Sequence, residues 1–176
     1  DQQVNTSFSD VGAGGNALGV FVKEKAYAYS HPDHENYIIL DFTIYNQGFL
    51  NLSNLYVGYY INWSLNLWTK NRGVYDTTLN TAITYSTIGD VYTGVQGIDG
   101  KLPKPFQMTN NGSDSSFSIY DGFGDYEKYE VLSTRKDSAG FHTNEGTDVS
   151  SVVSFGPYDL AVGDTAHVVF AILAAD

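Results

Sequence analysis

Apolar and polar residues alternate with a period of two over much of the chain, the spacing of strands with one buried face. In 36–46, Ile38, Leu40, Phe42 and Ile44 share one face while Asp41, Thr43 and Tyr45 share the other. The segment 18–29 places Leu18, Val20, Val22, Ala26 and Ala28 on one side, and the polar run His31-Pro32-Asp33-His34-Glu35 reads as the loop joining these two neighbours. In 55–63, Leu55, Val57, Tyr59, Ile61 and Trp63 point inward, Gly58 leaves room for a close neighbour or a bulge, and Trp63 is expected in the core. Further strands are predicted at 82–86, 91–98, 116–120, 149–155 and 166–174, separated by Gly, Asn, Asp and Pro clusters. The run His167 to Leu173 is apolar on both faces, which predicts a central strand covered on both sides.

One segment departs from this period. From Asp125 to Arg135 the chain offers an N-cap Asp125, Glu127 in the first turn and Arg135 at the end, as a helix dipole favours. Tyr129 and Leu132, with Tyr126 or Val131, would pack this helix on a sheet. Residues 1–17 and 137–148 are polar and glycine-rich, which predicts a flexible N-terminal arm and a flexible loop. The pattern therefore predicts an all-β chain, an antiparallel sandwich of Ig-like or jelly-roll-like form. It carries one short helix near 125–135, with 1–17 as the arm and 18–176 as a single domain.

Composition narrows the function classes. Hydrophobic residues make up 42% and charged residues 16% of 176 positions, the balance of a folded protein rather than a disordered one. A net charge of −11 repels phosphate backbones and anionic headgroups, so neither nucleic-acid binding nor membrane insertion is expected. The absence of cysteine excludes thiolate chemistry and disulfides. Abundant Tyr, Thr, Ser, Asn and Gly with little Lys or Glu point to an extracellular or cell-surface location. The first residues carry neither the basic start nor the apolar run of a signal peptide, so a secreted form is expected already processed.

Candidate chemistry is sparse. Asp121, Asp125 and Glu127 alternate with glycines in a loop of the kind that gives oxygen ligands to calcium, although the EF-hand spacing is absent. No other cofactor is expected. The His31 to Glu35 cluster has the residue types of a metal site, but side chains this close in a turn rarely converge on one ion. Tyr56, Tyr60, Trp68 and Tyr75 could stack on sugar rings or serve as ordinary cross-strand partners. Glycosylation sequons occur at Asn5, Asn51, Asn62 and Asn111. His142 and His167 could join a Ser-His-Asp triad, but no nucleophile-elbow motif accompanies them, and no catalytic residue is assigned.

Several blocks together resemble a β-sandwich accessory module of large secreted bacterial proteins, found beside subtilisin-like peptidase domains and cell-surface sorting domains. They are Gln3-Val4-Asn5-Thr6, Leu18-Gly19-Val20 with Tyr27-Ala28-Tyr29, the strand Ile38 to Asn46, Leu55-Tyr56-Val57-Gly58, Asp121-Gly122-Phe123, and Gly156-Pro157-Tyr158-Asp159-Leu160 followed by Gly163-Asp164. Such modules often carry Asp-Trp-Asp where this chain has Asn62-Trp63-Ser64, so a cation site there is not carried over. The resemblance implies secretion and a non-catalytic role. The expected function is structural, either as a peptidase accessory domain or as a subunit that self-associates into a cell-surface filament by strand addition, with carbohydrate binding as the alternative. Expected partners are further copies, neighbouring domains or a glycan.

Overall fold

A computed structural model describes residues 1–114 and 117–175. Its strands are Gln2–Ser9 (β1), Val20–Ala28 (β2), Tyr37–Asn46 (β3), Leu52–Asn62 (β4), Asn71–Asp76 (β5), Thr81–Ser86 (β6), Tyr92–Gly97 (β7) and Lys104–Thr109 (β8). A helix, Asp125–Ser133 (α1), precedes Ser138–Ala139 (β9), Val149–Leu160 (β10) and Thr165–Ala175 (β11). The larger sheet has eight strands in the order β1-β2-β3-β11-β7-β6-β5-β9, and the smaller has three in the order β4-β10-β8. All pairings between these strands are antiparallel, giving the all-β sandwich that the alternation predicts.

The inward positions of the period-two runs meet between the sheets. Ile44 of β3, Val95 of β7, Val153 and Phe155 of β10, and Val168 and Phe170 of β11 are buried together, with Leu55, Val57, Tyr59 and Ile61 of β4, and Trp63 just after it, packed against them. A second, smaller core lies on the outer face of the small sheet. There Phe106 and Met108 of β8 and Val152 of β10 pack beneath Val131 of α1, with Leu132 and Phe123 at its margin. The helix starts one residue earlier than its sequence signal, after Gly124, and Glu127 accepts the Gly124 N–H at 2.6 Å. Tyr126 and Tyr129 remain exposed, so Val131 and Leu132 carry the contact.

Four expectations change. First, β11 is central in its sheet but not covered on both sides, because His167 and Thr165 are exposed on its outer face. Burial on both faces falls instead on the small sheet, on β8 from Pro105 to Thr109 and on the first seven residues of β10, which lie between the large sheet and α1. Second, residues 1–17 are not a free arm. All eight residues of β1 pair with β2, and the Asp10 carboxylate then accepts the N–H groups of Leu18, Gly19 and Val20. Backbone hydrogen bonds, not apolar burial, hold this segment, so its polar composition concealed it.

Third, the 137–148 segment is fastened to β5. Arg72 donates to the carbonyls of Thr143 and Asn144, Lys70 pairs with Glu145, and Asn71 exchanges backbone hydrogen bonds with Thr147. Fourth, the strand expected at 116–120 begins at Ser116, outside the described residues, and Ile119–Asp121 forms a 3-10 turn.

The fully buried Phe155, at 1% exposure, touches Phe170 with ring centroids 5.5 Å apart, whereas Phe49 is 99% exposed. Phe155→Ala is expected to lower unfolding free energy by about 3–5 kcal/mol, as large-to-small changes in packed cores do. Phe49→Ala is expected to change it by less than about 0.5 kcal/mol. Urea unfolding of the two variants beside the parent measures both.

Candidate assembly surface

Three strands cannot span eight, and the surplus of the large sheet falls at one end. Tyr59 of β4 meets Phe170 of β11 at 5.8 Å between ring centroids. Burial, with the Glu24 carboxylate of β2 second, pushes the Tyr59 phenol above its usual pKa. β4 therefore lies across the β11–β3 part of the large sheet, reaching the margin of β2. Beyond it, among the described residues, no strand opposes the inner faces of β2 and β1, apart from the contact of Val20 and Val22 with the edge of the main core. Exposure follows this gradient. β3 buries Leu40 and Ile44, Val22 and Ala26 of β2 are half-buried, and every residue of β1 is exposed. Val4 and Phe8, opposite Ala26 and Val22, occupy the inner face at 60% and 52% exposure.

Both sheets also end here in open edges. β1 is the outer strand of the large sheet and β4 an outer strand of the small one, so one side of each backbone has no strand neighbour among the described residues. Proteins usually protect such edges with Lys, Pro, bulges or very short strands. β1, Gln-Gln-Val-Asn-Thr-Ser-Phe-Ser, contains neither a charge nor a proline, and neither does β4. The opposite end is closed. There β9 has only two residues, and the outer edge of β8 is occupied by Lys136, whose backbone N–H bonds Pro105 and whose carbonyl accepts from Gln107.

The outer faces next to the two open edges differ in charge. Lys23 and Lys25 stand on the outer face of β2, exposed, and neither has an ion-pair partner among the described residues. Beside β4, the helix and its approach carry Asp121, Asp125, Glu127 and Glu130 against Lys128. A further exposed apolar group, Val11, Leu18, Phe49 and Leu50, sits on the loops that meet where Gly19 and Gly48 pack together.

The candidate residues read from the sequence are dispersed. Asp121, Asp125 and Glu127 do not converge, because Glu127 caps the helix and Asp125 pairs with Lys128 at 3.1 Å. Among the described residues, no group of three His, Cys, Asp or Glu is placed to hold a metal. The four aromatic candidates make no common platform. Tyr56 and Tyr60 flank Gly58 on β4, but Leu132 fills the space between them. Tyr75 lies on β5 beneath Arg135 and bonds Asn80, and Trp68 stands 51% exposed on a separate turn. Asn5, Asn51, Asn62 and Asn111 are all exposed.

His167 bonds Asp41 at 2.8 Å on the open face of the large sheet. His142 reaches Ser113 Oγ at 2.9 Å but has no carboxylate partner among the described residues, and the neighbouring Asp114 is engaged elsewhere. The sequence reading missed the open edge of β4, because a long strand free of charge and proline reads the same at an edge as in a sheet interior. An apolar concavity of about 340 Å³ is lined by Leu79, Ile83, Tyr92, Gly94 and Leu173 on the outer face of the large sheet.

Comparison with protein-family models finds no match for this chain, and comparison with curated proteins finds none.

Asp114 ties the 109–114 turn to the body of the sandwich. Burial alone would raise its pKa, but hydrogen bonds from Thr109 Oγ1, the Gly140 N–H and Lys136 outweigh it and hold the carboxyl below its usual range. A folded-state pKa below the unfolded one contributes stability above the ordinary carboxylate pKa, and that contribution is lost as pH falls through the lowered value. Asp114→Asn is expected to lower neutral-pH stability by about 1–3 kcal/mol. It should also flatten the acid limb of the stability curve, which chemical unfolding between neutral and acid pH measures.

Proposed function

We propose that this chain is a non-catalytic structural module of the extracellular or cell-surface space that self-associates by adding strands at its open sheet edges. The observation that carries this reading is β1, an eight-residue edge strand whose every side chain is exposed and which carries no charge or proline. An edge of this kind offers a row of unpaired N–H and C=O groups to another chain. Val4 and Phe8 add an apolar face that water solvates poorly. Docking a strand satisfies the edge and covers that face in one step, which is the physics of strand-addition assembly. The sequence expectation of a cell-surface filament belongs to this class, with the arm now replaced by a formed strand.

Deleting residues 1–9 tests the reading. The truncated chain is expected to keep a cooperative unfolding transition, since β1 contributes no buried side chain, and to lose the self-association of the parent in light scattering. Assemblies that persist unchanged in the folded, truncated chain would count against it.

A further inference from the structure

The two open edges lie at the same end of the sandwich, and this decides what kind of contact they can make. β4 returns over β3 after the turn at 47–51 and runs opposite to it, while β1 runs in the direction of β3, since both pair antiparallel with β2. A two-fold axis parallel to the strands, placed between the layers within the overhang of β1 and β2, carries the small sheet of one copy into line with the large sheet of the other. Strand directions are preserved by that rotation, so β1 of one copy meets β4 of its partner antiparallel, the better ladder. Inner faces stay inner under the same rotation. Val4, Thr6 and Phe8 then continue the face formed by Val57, Tyr59 and Ile61 of the partner.

We propose that two copies of this chain close into a reciprocal pair, in which β1 of each copy adds to the β4 edge of the other. It rests on the self-association read above and adds the acceptor edge and the closure. The overhang fits this occupant. Each copy leaves two strands, β1 and β2, without an opposing layer, and the partner's own two surplus strands fill that layer.

Charge supports the same occupant. Joining the sheets places Lys23 and Lys25 of one copy on the outer face shared with the partner's acidic helix, an arrangement of opposite signs in a chain of net charge −11. An isologous contact of this kind uses both edges of both copies, so growth stops at two. The only charge on the inner face of the overhang is Glu24, opposite Thr6, where a closed pair would desolvate it.

The test uses the full chain, whose lack of cysteine makes engineered thiols unambiguous. Gln3 and Asn62 are exposed residues on the outer faces of β1 and β4. Light scattering of the parent is expected to give twice the chain mass with no larger species. A short bismaleimide linker is expected to join Gln3→Cys chains to Asn62→Cys chains in a mixture, and to join neither variant to itself. Lys23→Glu with Lys25→Glu is expected to weaken the pair about tenfold, and Glu24→Gln to strengthen it, with circular dichroism confirming that each variant folds.

Linking of Gln3→Cys to itself would mean β1-to-β1 pairing and overturn the proposal. So would a dimer that no cysteine mixture links, or an affinity indifferent to the lysine reversal. Open polymers would overturn the closure while leaving self-association standing. A monomer at all concentrations would remove both.

Discussion

The small sheet hangs on β10, which alone pairs with both of its other strands and is buried on both faces over its first seven residues. Toward the large sheet it presents Val153 and Phe155, which meet Phe170 and Ile44 in the main core. Toward α1 it presents Val152, under Val131, and Ser154, which donates to the carbonyl of Leu132 at 2.7 Å and so fastens the end of the helix. Covering both faces of one strand forces the order of layers: large sheet, small sheet, helix. It also limits the small sheet to the strands that β10 can pair, and this is why the large sheet overhangs it.

The half of the fold that packs by apolar alternation was legible in the chain. β2, β3, β4, β6, β7, β10 and β11 all overlap predicted strands, because most of their inward residues are apolar: Val22, Ile44, Val57, Ala82, Val95, Val153 and Val168 among them. β5 and β8 were not found, and the reason is a polar stretch of core between them. Gln107, fully buried, accepts from Ser151 at 2.6 Å and donates to the carbonyl of Val74 at 3.0 Å, while Thr84 meets Ser151 at 3.3 Å. Gly73 faces Gln107 so closely that a Cβ there would stand 2.4 Å from its Oε1. A buried amide with its partners supplied costs little. Its positions nevertheless read as loop by hydrophobicity.

The candidate site was legible in part. The polar composition of 1–17 suggested a flexible arm, and that composition hid that residues 2–9 form a paired strand. Edge strands held by backbone ladders need no apolar period, so only the register of β1 on β2 reveals them. The carboxylates of Asp121, Asp125 and Glu127 were visible as a cluster in sequence, but spacing along a chain says nothing of direction. The helix takes Glu127 for its own N-terminus and Asp125 for Lys128, leaving no shared focus. The β4 edge could not be recognised from sequence, because its edge position depends on which strands β10 accepts as neighbours.

Edge protection is distributed unevenly over the molecule, and the unevenness follows from the layer order. At the β9 end, the helix must return to the sheet through Lys136, and that passage covers the β8 edge as it goes. At the β1 end no described segment returns: β1 leads into β2 and β3, and β4 crosses to the other layer to reach β10. Both edges are thus left open at the place where the overhang also leaves Val4 and Phe8 in water. Exposed backbone and exposed apolar side chains are separate liabilities in a monomer. Their coincidence in direction and charge on one surface is what the proposed pairing of two copies rests on: a second copy would satisfy the backbone and cover the apolar side chains in one step.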